Sequence, residues 1–147
     1  SVIVDVLNNI WILSAGSESD DIFPVLNKFS TITNSIEKTK TYTSFTEAPQ
    51  KLSSHNDYSN ASLFYSKGQK IYSLTESSSN HDFVSNELFT HVAQNLYNFT
   101  FVTMNQTFLI CDAKDYLSDG EVLNYGYTGN LIAIIPSGII PNSIIFQ

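Results

Sequence analysis

The chain contains no arginine: its seven basic residues are all lysines, set against fourteen acids, and the formal net charge is −7. It therefore lacks the planar, two-pronged guanidinium donor that phosphate and carboxylate recognition most often uses. With an acidic surface added, nucleic acid and anionic membranes are poor partners. Cys111 is the single cysteine, so no internal disulfide can form, which argues against a small secreted domain stapled in an oxidising compartment. In the apolar run Phe108 to Cys111 it reads as a small buried residue. No apolar run approaches the ~18–20 residues of a membrane span, so membrane insertion is not expected. The N-terminus has neither the basic start nor the cleavage pattern of a signal peptide. A start at Ser1 without methionine reads as a piece cut from a longer protein.

Known chemistries are missing too. Asp112, Asp115, Asp119 and Glu121 cluster, but not at the spacing of a calcium loop. His55, His81 and His91 share no zinc-ligand spacing with one another or with Cys111. Nothing resembles a nucleophile elbow, a phosphate loop or a Cys-His-Asn set. Glu87 and His91, one helical turn apart, read as a solvated pair. The expectation is no metal, no cofactor and no catalysis.

What is present is a chain of 147 residues, 42% of them apolar, enough for one domain with its own core. Between Asp82 and Tyr97, Val84, Leu88, Val92 and Leu96 follow at i+4, with Phe89, Ala93 and Tyr97 in a second row. At about 100° per residue these rows cover roughly 220° of a helical wheel. That pattern predicts a central buried helix with Asp82 as its N-cap. A second, short helix is expected near Ile22 to Phe29, with Pro24 in its first turn. Elsewhere the residues read as strands. Val2 to Leu7 and Ile10 to Leu13 form a hairpin around Asn8 and Asn9, and the threonine-rich stretch Ser30 to Phe45 turns at Asn34 and Ser35. Ser62 to Tyr65 and Lys70 to Leu74 flank a Lys67-Gly68-Gln69 turn. Phe99 to Thr103 and Thr107 to Cys111 pair around Asn105 and Gln106, with Phe99 and Phe101 on one face. Thr46 to Asn60 reads as a long mobile loop, cleavable at Lys51. Leu131 to Ile135 reads as a buried strand. The fold class expected is α+β: an antiparallel sheet wrapped around one helix.

Three glycosylation sequons, at Asn60, Asn98 and Asn105, are no more than this asparagine-, serine- and threonine-rich composition produces by chance. The best binding candidate is Asn124 to Asn130, NYGYTGN. It offers Tyr125 and Tyr127 as stacking rings and Asn124 and Asn130 as hydroxyl readers, with glycines that let a ligand approach the backbone. Trp11, the only tryptophan, is a further platform, or a core residue.

Trp11-Ile12-Leu13 and Lys67 to Ser77, KGQKIYSLTES, resemble segments of the rotavirus outer-capsid spike head, the piece that trypsin releases and that binds cell-surface glycans. With a helix in its middle the chain looks more like the divergent group B head than the galectin-like sandwich of groups A and C. That resemblance implies a viral attachment lectin on the outer capsid surface of the virion. During assembly it would pass through the host cytoplasm or endoplasmic reticulum. Its partners would be host glycans and the remainder of the spike. Negative charge without arginine favours neutral, galactose-containing glycans such as N-acetyllactosamine. A capsid or scaffold module that binds only protein is the alternative, and a small hydrolase the third.

Overall fold

The computed structural model describes residues 1–54, 63–77 and 82–143. Among them the chain is almost entirely β. Its one helical element is a 3-10 turn at Glu18–Asp20. The strands are β1 (Val2–Val4), β2 (Asn9–Ser14), β3 (Val25–Ser30), β4 (Ser35–Thr41), β5 (Lys51–Ser54), β6 (Leu63–Lys67), β7 (Lys70–Glu76), β8 (Phe83–Thr90), β9 (Leu96–Val102), β10 (Thr107–Asp112), β11 (Glu121–Gly126) and β12 (Leu131–Pro136). They form three four-stranded sheets, ordered β1-β2-β3-β4, β5-β6-β7-β8 and β12-β11-β10-β9. Each strand pairs with its neighbour in sequence, so the chain is three successive meanders, the unit from which propeller-like folds are repeated.

The α+β expectation is overturned. Asp82 to Tyr97 is β8, a short irregular link and the start of β9. The reason lies in the period: residues four apart share one helix face, but they also share one strand face, because four is a multiple of two. Val84, Leu88 and the β-rich residues Phe83, Phe89 and Thr90 fit an edge strand that pairs with β7, and Asn, Ser and Thr in the same stretch are weak helix formers. The arc of roughly 220° was itself too wide for an amphipathic helix. The helix expected near Ile22 to Phe29 is absent as well, since Val25 to Ser30 is β3, in register with β2. Lys51 opens β5 instead of lying in a loop. Leu131 to Ile135 is a strand, but an exposed outer one, with Ile132, Ile134 and Ile135 about half open to solvent. His55, Asn60 and His81 lie outside the described residues.

The hairpins stand where turn chemistry places them. Asn8, Asn34 and Gln106 take the left-handed backbone at three turns, and Gly68 does so at the fourth. In β9, Phe99 and Phe101 face the core as their alternation predicts.

Contacts cluster into two units, Ser1–Gly68 with Tyr72–Asn86, and Gln69–Ile71 with Glu87–Gln147. The first is built on Trp11, Leu13, Leu26, Leu52, Leu63, Tyr65 and Leu74. At its heart lies the Asp5 carboxylate, buried in the β1–β2 turn. It accepts from the Leu7 and Asn9 amides, from Asn9 Nδ2, and from the Trp11 indole at 2.8 Å. The second unit packs Phe99, Phe101, Phe108, Ile110, Leu123 and Tyr125 on one face of its sheet. Asp112 has the corresponding polar role there: its oxygens accept from the amides of Gln94, Asn95 and Lys114, each at 2.9 Å. Burial alone would raise its pKa, but those three amides and the Lys114 ammonium outweigh burial and hold it below the usual carboxylate value.

Two predictions follow from these carboxylates. Asp5→Ala leaves the buried Asn9 amide and Trp11 indole without their acceptor, so it should cost about 2–4 kcal/mol in urea unfolding, with Asp5→Asn costing less. For Asp112, a lowered folded pKa means its stabilisation is complete above the unfolded value of about 3.9 and is lost as pH falls through the folded value. Asp112→Asn should therefore be less stable than the parent at neutral pH, and the gap should narrow on acidification. A gap that persists undiminished in acid would show that the charge contributes nothing.

Candidate functional site

β4 reads Glu37-Lys38-Thr39-Lys40-Thr41, and a strand alternates its faces. Register places Lys38 opposite Lys28, which is itself opposite Trp11, whose other partner is Ile3, and Lys40 opposite Leu26, itself opposite Leu13. Three of the seven lysines therefore sit on the inward face of the first sheet, at its outer end. β4 is the last strand of that sheet among the described residues, so its far backbone edge has no strand partner there. Along this edge runs a cleft of about 450 Å³ lined by Lys38, Thr39, Lys40, Thr41, Asp82 and Phe83.

The walls are held by charge and by rings. Lys28 reaches Glu76 at 3.2 Å and Glu37 at 3.4 Å, and Lys38 lies 3.8 Å from the other Glu76 oxygen. The Lys38 ammonium sits 4.5 Å from the centre of the Phe83 ring, and Phe83 packs against Trp11 at 5.4 Å. Lys28 also lies over the Trp11 ring, at 5.8 Å. Lys38 Nζ is buried with no hydrogen-bond acceptor in reach among the described residues. It is a cation held by one carboxylate beyond hydrogen-bond distance and by a ring face, with donors left over. Lys40 stands over Tyr42 at 5.4 Å. Burial, and next the neighbouring Tyr65, push the Tyr42 phenol far up, so it stays protonated. The three lysines are matched by Glu37, Glu76 and Asp82, which leaves the neighbourhood close to neutral in an acidic protein.

The residues singled out from sequence are placed differently. Trp11 is buried at 4% exposure with its indole bonded to Asp5, and it works as the wall behind Phe83. Asn124, Tyr125, Tyr127 and Asn130 belong to the other unit. Tyr125 is 2% exposed, lies against Phe89 at 5.2 Å, and its hydroxyl accepts from the Val92 amide at 3.0 Å, so its ring is closed to a ligand. Tyr127 is 42% exposed and packs against Phe101 and Phe108. Asn130 accepts from the Thr128 hydroxyl and folds over Gly126, where a Cβ would strike it. Gly129, at φ 87°, leaves room for Phe89. The glycines of NYGYTGN thus admit the protein's own side chains. Asn124 lies within β11 with its Oδ1 buried. Of the five, only Tyr127 and Asn130 are exposed.

Sequence reasoning missed Lys38, Lys40, Asp82 and Phe83. The signal available was the Lys-Thr-Lys-Thr alternation of β4, which gathers two cations on one face. Asp82 and Phe83 were hidden by the helical reading. Elsewhere among the described residues no group of three or more His, Cys, Asp or Glu is placed to hold a metal ion, and no helix is long and apolar enough to cross a membrane. Cys111 is fully buried, and burial raises its thiol pKa, which makes it unreactive.

No protein-family model matches the chain, and neither does any curated protein. Among solved structures it is similar to a luciferin-regenerating enzyme, with a TM-score of 0.61 at 15% identity over 93% of this chain. The chain spans 45% of that structure's length. At this identity the likeness is one of fold, and it agrees with the repeated four-stranded sheets.

The cleft generates its own test of stability. Lys38→Met removes a poorly satisfied ammonium and keeps the stem over Phe83, so it should be neutral or slightly stabilising in thermal melts. Glu76→Gln leaves Lys28 and Lys38 facing each other and should cost about 1–2 kcal/mol, between the limits for exposed and buried ion pairs. The reverse order of effects would show that the ion pairs do not hold the cleft.

Proposed function

We propose that this chain is a non-catalytic binding module whose cleft along β4 takes a neutral, hydroxyl-rich glycan of the galactose-containing class. The observation that carries the reading is the lining itself. The Lys40 ammonium, two threonines, a carboxylate, an open strand edge and one aromatic wall supply donors and acceptors around an apolar surface, which is how pockets hold sugars. A volume of about 450 Å³ suits one or two sugar rings. The local balance of charge favours a neutral ligand over a sialylated one. Asp82 is the one carboxylate among the lining residues, whereas glycoside hydrolysis uses a facing pair. That supports binding without turnover, although the structural neighbour carries an enzyme's name. The attachment role implied by the likeness to spike heads rests on this binding.

A second reading is favoured by one observation, the unpartnered edge of β4. An extended peptide could add to it as a further strand, its backbone supplying the affinity.

A glycan array followed by titration tests the proposal. Binding in the range of about 0.1–1 mM is expected. Asp82→Asn and Lys40→Ala should each weaken it about tenfold, as the loss of a hydrogen bond to a charged group does. Tyr125→Ala should lower stability, since it removes a core ring. Failure to bind any neutral glycan, with retention of a β-forming peptide that Thr39→Pro abolishes, would replace the lectin reading with the peptide one.

A further inference from the structure

The loop that joins β10 to β11, residues 113–120, is held in an unusual shape and carries its aromatic ring outward. Tyr116 takes the left-handed backbone at φ 65°, two residues after Lys114 at φ 48°. For a bulky side chain that region is an outlier, which glycine or asparagine visits far more easily. Local hydrogen bonds hold the strain in place. The Tyr116 amide donates to the Ala113 carbonyl at 2.9 Å, and one Asp115 oxygen accepts from the Leu117 and Ser118 amides at 3.0 and 2.7 Å. Asn95 closes the base of the loop, its carbonyl accepting from the Ala113 amide and its side-chain amide donating to the Lys114 carbonyl.

A second irregularity lies beside the first. Cys111 pairs with Asn98 but Asp112 pairs with Leu96, so Tyr97 is a bulge residue with no opposite number on β10, and bulges re-aim side chains. The Tyr97 and Tyr116 rings meet at 6.3 Å between centres and 72° between planes. Core packing does not account for this corner: Tyr116 is 46% exposed, Tyr97 36% and Leu117 82%. Strain kept without a gain in burial points to a functional loop. The corner selects a cation, because tyrosine faces carry negative potential and the exposed Asp115 and Asp119 bracket residues 116–118. Bonds from the Ser118 and Leu117 amides hold the Asp115 carboxyl below its usual value, so it stays charged. Lys114, the one cation of the loop, is paired with Glu121 at 2.7 Å.

We infer that Tyr97 and Tyr116 form a stacking site for the guanidinium of an arginine on a partner protein, with Asp119 as the carboxylate that meets its donors. Arginine fits the corner better than lysine. Its flat face stacks on a ring, its fork bonds a carboxylate, and it is the more weakly hydrated of the two. Its apolar stem has Leu117 to lie on. None of these 147 residues is an arginine, so none of them fills the site, and a net charge of −7 favours the approach of a basic segment. Every residue of the site belongs to the second unit, and the inference is independent of the glycan cleft.

Titration with acetyl-Gly-Arg-Gly-amide, followed through the tyrosine ring protons, tests it. Binding on the order of 1 mM is expected at low salt, weakening as salt is raised. The citrulline peptide keeps the plane but loses the charge, so it should bind about tenfold more weakly, and the lysine peptide about threefold. Tyr116→Gly suits the left-handed backbone, so it should melt no lower than the parent while weakening the arginine peptide about threefold. Tyr116→Phe should retain binding, and Asp119→Asn should weaken it about tenfold. Equal binding of the arginine and citrulline peptides overturns the inference, and so does undiminished binding by Tyr116→Gly. A lysine peptide that binds as tightly as the arginine peptide reduces the site to attraction between charges, and the stacking assignment then falls.

Discussion

The hydrogen bond from the Trp11 indole to the buried Asp5 carboxylate is the interaction on which the first unit depends. An indole N–H taken out of water without an acceptor would cost a large part of a small domain's stability. Asp5 meets it, and with its remaining lone pairs closes the β1–β2 turn. Trp11 is thereby fixed as a wall. Phe83 packs on it, Lys38 lies over Phe83, and Lys28 lies over Trp11 itself. The cleft is thus downstream of one carboxylate that never faces it.

The second unit solves the same problem with different residues. Its large apolar face would strand the polar tips of its members, and each tip is met: the Tyr125 hydroxyl by the Val92 amide, the Asp112 carboxylate by three amides. Both buried aspartates anchor the irregular backbone beside a strand end, where amides would otherwise lack partners. The repeated unit here is architectural. No period shows in the sequence, because each meander needs only alternation and turn residues, and many residue choices supply those.

Placement of charge links the cleft to the opposite face of the first sheet. Lysines turned inward line a local, nearly neutral cleft within an acidic protein, and the face they vacate becomes apolar. One alternation of side chains along β3 and β4 therefore sets both the cleft and the outer face. A single-residue slip in that register would exchange them.

Several features were determined by the sequence alone, because they depend on neighbours in the chain. The turns at Asn8, Asn34, Gly68 and Gln106 need residues that tolerate positive φ. The inward alternation of Phe99 and Phe101 needs only a period of two. The burial of Cys111 follows from its apolar run. Only the tertiary structure decided whether Asp82 to Tyr97 would be helix or strand, since apolar residues four apart satisfy both and pairing with β7 supplied the missing hydrogen bonds. It likewise decided that Tyr125 is core and that the apolar strand Leu131–Pro136 lies outermost. Lys38 meets Phe83, and Lys28 meets Glu76, because strands distant in the chain pack side by side. No local pattern encodes which residues such packing brings together.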